Sequence, residues 1–135
     1  MNAEPVLVDT DVVSFLFKAD TRAQLYQGHL AGRRWVLSFM SLGELYEWAE
    51  DRGWGRSRRR QLEDHLGGFH VHGFTPELCR MWAQVRATAR RGGREIDIAD
   101  AWIAATALLH DLPLVTHNRR HYEGVEGLRI ISEAP

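Results

Sequence analysis

The residues of this chain best placed to do chemistry are isolated acids that follow apolar runs. Asp9 ends the run Val6-Leu7-Val8. Glu44 lies near the start of a helical segment that Ser41 opens, and Asp100 near the start of another that opens at Asp97. They are far apart in sequence and converge only if each segment begins at the same edge of one sheet. Two like charges about 4 Å apart repel by roughly 4 kcal/mol at an effective dielectric near 20, so such a cluster needs a cation. An all-oxygen donor set suits Mg²⁺ or Mn²⁺ rather than zinc. Each acid also has a structural role open to it. Asp9 or Asp11 can cap the helix that follows, and Asp97 or Asp100 can be a helix N-cap. Ser41 and Glu44 fit a capping box, in which the glutamate bonds back to the serine amide. Two histidine pairs, His70 with His72 and His117 with His121, have metal-ligand spacing but lack a third ligand in sequence.

The elements that must position the acids follow from patterning. Val6–Val8, Trp35–Phe39, Leu114–Thr116 and Leu128–Ile131 read as strands, and the Phe69–Phe74 segment reads as an edge strand. Val12 to Phe17, Thr21 to Leu30, the segment from Ser41 and Ser57 to Leu66 have helical patterns. Thr75-Pro76 supplies an N-cap and a proline at the first helical position, with Leu78, Met81, Trp82, Val85 and Ala89 at helical spacing up to Gly92-Gly93. The segment from Asp97 to His110 is rich in small residues, which suits close packing on a sheet. Strands alternating with helices predict one α/β domain over residues 1–135, with a central parallel sheet of four to five strands flanked by helices. In open α/β sheets ligands sit outside the carboxyl ends of the strands, which is where Asp9 falls.

Composition narrows the class. At 135 residues with 44% hydrophobic residues, five Trp and five Phe, one domain fills its own core without staples. A single cysteine, Cys79, makes neither an internal disulfide nor a cysteine-based zinc site, so a reducing cytoplasm is expected. It reads as a small hydrophobe of its helix. No apolar stretch approaches the roughly 20 residues of a membrane span. Met1 to Pro5 holds an acid and no basic residue, so no secretory leader is expected there. The net charge of −1 excludes a uniformly basic protein but not local patches. Arg56, Arg58, Arg59 and Arg60 form a basic run that is either a solvated face or a contact to RNA or a partner. Arg90, Arg91 and Arg94 precede the acidic segment and are candidate RNA-phosphate contacts. Trp48, Trp82 and Trp102 are expected in the core, and Trp54, between two glycines, at the surface.

Four blocks carry a family resemblance: Val-Asp-Thr-Asp-Val-Val-Ser at 8–14, Ser-Leu-Gly-Glu-Leu at 41–45, Asp-Ala-Trp-Ile-Ala-Ala-Thr-Ala at 100–107 and Leu-Val-Thr-His-Asn at 114–118. In order and spacing they resemble PIN-domain ribonucleases, closest to the VapC-type toxins of toxin–antitoxin pairs. The resemblance implies a PIN-like fold and a metal-dependent endoribonuclease in which Asp9, Glu44 and Asp100 hold Mg²⁺ or Mn²⁺. That ion polarises the scissile phosphate and acidifies a water, leaving a 5′-phosphate and a 3′-hydroxyl. It also implies a homodimer and a cognate antitoxin. Val12, Phe15, Leu16 and Leu25 of the first helices are the expected docking face. Asn118 stands where many relatives have a fourth acid and joins the candidate catalytic set, while Asp11 stands where relatives often have Asn or Ser. Two alternatives remain open. Asp9-Thr10-Asp11 also resembles the nucleophile motif of haloacid-dehalogenase-type phosphohydrolases, although those usually need a downstream lysine and Lys18 is the only lysine. A PIN-like module that binds RNA or protein without cutting is the other.

Overall fold

Val6–Val8 (β1) occupies the centre of a five-stranded, all-parallel sheet in a computed structural model that describes residues 4–135. The first three residues of the Met1 to Pro5 stretch, and the expectation placed on them, lie outside the described residues. The other strands are β2 (Trp35–Ser38), β3 (His70–His72), β4 (Leu114–Val115) and β5 (Ile130–Ile131), in the order β3-β2-β1-β4-β5. The chain builds outward from β1 through β2 to β3, then crosses back to place β4 on the other side of β1, with Leu7 opposite both Val36 and Leu114. The strand order therefore reverses between β1 and β4. Such a switch point opens a crevice at the carboxyl edge.

Alternation along the strands builds two cores. Leu7, Val36 and Leu114 face α5 (Pro76–Arg91) and α6 (Ile98–Leu109). Val6, Val8, Leu37 and Val115 face α1 (Thr10–Lys18), α2 (Gln27–Leu30), α3 (Phe39–Asp51) and α4 (Arg56–Leu66). Ala101, Ala104 and Ala105 of α6 are fully buried, as its small residues predict. Asp97 caps α6 by accepting from the Ala99 amide, and Thr75 caps α5. Among the described residues no helix is long and apolar enough to cross a membrane.

Several local expectations need correction. The Thr21 to Leu30 helix is a 3₁₀ segment, Thr21–Tyr26, followed by the single turn of α2. β2 stops at Ser38, and α3 starts at Phe39 rather than Ser41. Ser38 is both the last strand residue and the N-cap, accepting from the Met40 amide. The Ser41–Glu44 capping box does not form. Trp54 is half-buried against Trp48, 4.7 Å between ring centroids, and Phe17, while Cys79 is exposed. Val12 and Phe15 are core residues, so the expected docking face on the first helices is absent; of that set only Leu25 is well exposed. Within the basic run of α4, Arg59 turns back onto the Trp54 carbonyl and Glu50, and Arg58 lies over the Phe17 ring.

Candidate active site

Asp9 leaves β1 at the switch point and is 95% buried, with 5% exposure. Its Oδ1 accepts from the Thr10 amide at 2.8 Å, which makes it the N-cap of α1. Its Oδ2 accepts from the Thr116 hydroxyl at 2.7 Å and from the Tyr122 phenol at 3.2 Å. Capping and site-building are thus one role. Burial first, and then the charge of Asp11, push this carboxyl up to about 7, against the pull of the hydrogen bonds from Thr116 and Thr10.

The other acids arrive from different elements. Glu44, one turn into α3, accepts from the Thr10 hydroxyl at 2.7 Å, and that hydroxyl lies 2.8 Å from Ser41 Oγ. Asp100, in the first turn of α6, is held by two consecutive residues of α7 (Arg119–Tyr122): His121 Nδ1 lies 3.1 Å from Oδ2 and the Tyr122 phenol 3.2 Å from Oδ1. Burial raises both carboxyls above their ordinary values. For Glu44 the Thr10 hydrogen bond opposes it and Asp100 adds to it; for Asp100 the neighbouring His121 opposes it. Asp11 is raised by burial too, opposed by the backbone amides it accepts from. A cavity of about 650 Å³ is lined by Asp9, Asp11, Glu44, Asp97, Asp100 and Asn118, so the three predicted acids meet.

Asn118 lines the cavity but turns its amide Nδ2 to Asp11 Oδ2 at 2.9 Å. The His117 amide donates to the same oxygen. His117 packs by its ring edge against Phe15 and Tyr26 and hydrogen-bonds Tyr26, while His121 meets Asp100, so this histidine pair is divided. His70 and His72 do gain a third imidazole, because His110 stacks on His72 at 3.6 Å and 6°. Ring-nitrogen lone pairs lie in the ring planes, so stacked rings do not aim at one point. Among the described residues no three His, Cys, Asp or Glu side chains close on a single ion position as they stand. The acidic site nevertheless has the right donor chemistry for a hard divalent cation. All its charged donors are carboxylates, and burial raises Asp9, Glu44 and Asp100 above their ordinary values.

Of the predicted basic residues, Arg94 alone reaches the site's edge. It lies across Gly124, where an added Cβ would sit 2.8 Å from Arg94 Cδ, and it donates to Glu123 at 3.1 Å. It lines a side cavity of about 280 Å³ that shares Asp97, Asp100 and His121 with the main one and adds Arg120. Arg90 and Arg91 are exposed and line neither cavity. Sequence reasoning missed Thr10, Tyr122, Lys18 and Arg120 as site residues. Thr10 had a signal, being the hydroxyl between two acids after a strand; Tyr122 had none.

The buried β1 aspartate, the α3 glutamate and the α6 aspartate around one carboxyl-edge crevice define a class of fold. The chain belongs to the PIN-domain family, whose profile matches residues 6–126. It is 33% identical over 129 residues to the ribonuclease VapC10 of Mycobacterium tuberculosis, covering 92% of this chain and 90% of that one. The DNA-bound VapBC of Salmonella typhimurium superposes with a TM-score of 0.79 at 25% identity, covering 96% and 98% of the two chains. VapBC2 from Rickettsia felis, bound to a promoter DNA fragment, shares the fold at a TM-score of 0.84 and 16% identity, again over 96% and 98%. The haloacid-dehalogenase likeness of the Asp-Thr-Asp motif falls with this assignment. Lys18 does line the acid cavity, but it comes from the helix right after the motif.

Proposed function

We propose that this protein is a divalent-metal-dependent endoribonuclease acting as the toxin of a type II toxin–antitoxin pair in the cytoplasm. The observation that supports it is the meeting of Asp9, Glu44 and Asp100 at one crevice in a chain similar to VapC ribonucleases over nine-tenths of its length. Asp9, Glu44 and Asp100 would hold Mg²⁺ or Mn²⁺. When bound, such an ion supplies charge neutralisation at the scissile phosphate and acidification of a water. The chain's own contribution is orientation. Thr10 fixes Glu44, Thr116 fixes Asp9, and His121 fixes Asp100. Asn118 acts through Asp11, holding that carboxylate at the cavity wall. Lys18 within the cavity, with Arg94 and Arg120 at its edge, gives an RNA backbone cationic contacts beside the acids; Arg90 and Arg91 serve only an extended strand.

The VapBC complexes supply the partner expectation: a cognate antitoxin that covers this crevice. A second copy of the chain is the other expected partner. The decisive experiment is cleavage of single-stranded RNA by the purified chain. Cleavage should be lost with EDTA, restored by Mg²⁺ or Mn²⁺, and lost in Asp9→Asn and Asp100→Asn with the fold retained. Full activity of either variant overturns the assignment. RNA binding without cleavage would instead favour the non-cutting module.

A further inference from the structure

Tyr122 is fully buried, yet its hydroxyl sits 3.2 Å from Asp9 Oδ2 and 3.2 Å from Asp100 Oδ1. A phenol has one proton to donate. It cannot satisfy two carboxylate oxygens at once, so it spans the gap between acids that come from the ends of β1 and α6. The neighbouring His121 holds the other oxygen of Asp100 at 3.1 Å. The short α7 therefore fixes both oxygens of one acid and ties that acid to a second. Neither the capping pattern nor the acid spacing requires a hydroxyl at this position. A phenylalanine would fill the same volume in the core that Tyr122 shares with Ile103 and Leu114.

We propose that Tyr122 is a positioning residue whose hydroxyl sets the separation and rotation of Asp9 and Asp100, so that a divalent cation meets a prearranged pair of carboxylates. This rests on reading the acids as the cation site. Groups that orient metal-binding side chains are typically worth 10- to 100-fold in metal affinity. The test is calorimetric Mn²⁺ titration of the full chain, without RNA, for wild type and Tyr122→Phe. Tyr122→Phe should bind Mn²⁺ about 10-fold or more weakly. In cleavage assays its rate should fall at limiting Mn²⁺ and recover at saturating Mn²⁺ with KM for RNA unchanged. A folded Tyr122→Phe with wild-type Mn²⁺ affinity overturns the proposal. A second measurement needs no variant: the Tyr122 Cζ signal, followed by NMR in the wild-type chain, should move during a Mg²⁺ titration with the midpoint that calorimetry gives for Mg²⁺. A Cζ signal that stays fixed while Mg²⁺ binds also overturns it. A wild-type chain that binds neither ion fails at the site reading itself, and this inference falls with it.

Discussion

Asn118 and Asp11 face one another at 2.9 Å with the amide as donor and the carboxylate as acceptor. The resemblance points to the opposite polarity in many relatives, with the acid after the Thr-x pair and a neutral residue after Asp-Thr. This chain thus keeps one acid in the pair on the other side of the crevice. The consequence is an asymmetric double-mutant cycle. Asn118→Asp alone replaces the hydrogen bond with two facing carboxylates and should cost about 2 kcal/mol of metal-free stability. Adding Asp11→Asn should recover most of that loss. Urea unfolding in EDTA measures both, and strictly additive effects would mean the pair is not coupled. Asp9 sets the pH dependence. Its folded pKa of about 7 lies above the unfolded value near 3.8, so the native state holds its proton longer than the unfolded chain. Metal-free stability should therefore fall by a few kcal/mol as pH rises from about 4 to about 7 and level off above. Asp9→Asn should remove Asp9's share of this slope, leaving the contributions in the same direction from Asp11, Glu44 and Asp100, which burial also raises. Thermal melts across that window in EDTA check it, and a stability that rises with pH there would contradict it.

At the level of elements, α6 does two jobs: its first turn presents Asp100 and its alanines let it lie close on the sheet. Ala104→Leu should cost about 1–3 kcal/mol through overpacking, seen as a lower urea midpoint with an unchanged slope. Much of this architecture was legible in sequence. The apolar run before Asp9, the Thr75-Pro76 start and the small-residue helix from Asp97 each combine a periodicity with a cap, and each formed where the pattern placed it. Legibility failed where two residues could fill one role. Ser38 and Ser41 are both competent caps. The strand runs into α3 without a loop, so Ser38 takes the cap, and Ser41 is freed to meet Thr10. The convergence of Asp9, Glu44 and Asp100 could be inferred because helix starts share a sheet edge. Their hydrogen-bond partners could not, since Tyr122 reaches Asp9 across 113 residues. β4 and β5 are two residues long each, too short for periodicity to bound, so Thr116 and Leu128 fall outside them although the apolar pattern includes both.

For the whole molecule, the exposed Phe74 and Ile98 adjoin a ring cluster of Phe39, Trp82 and Trp102, with the two indoles stacked at 4.8 Å. We predict that the second copy implied by the family resemblance packs on this face. Light scattering at micromolar concentration should give twice 15.5 kDa, and Phe74→Glu with Ile98→Glu should return it to the single-chain mass. Expression of the chain alone should arrest growth, and co-expression of its antitoxin should relieve the arrest; harmless expression of the wild type would contradict a toxin role. The position of β1 has a consequence for synthesis. Its partners are Val36 on one side and Leu114 on the other, and Asp9 receives its hydroxyl donors from Thr116 and Tyr122. A nascent chain elongating at about 5–20 residues per second displays Asp9 early but cannot complete the pairing of the central strand until Leu114 and Val115 have been added. Ribosome-stalled chains ending before Leu114 should stay protease-sensitive and inert toward RNA, so the cell has the whole of translation in which to have an inhibitor waiting.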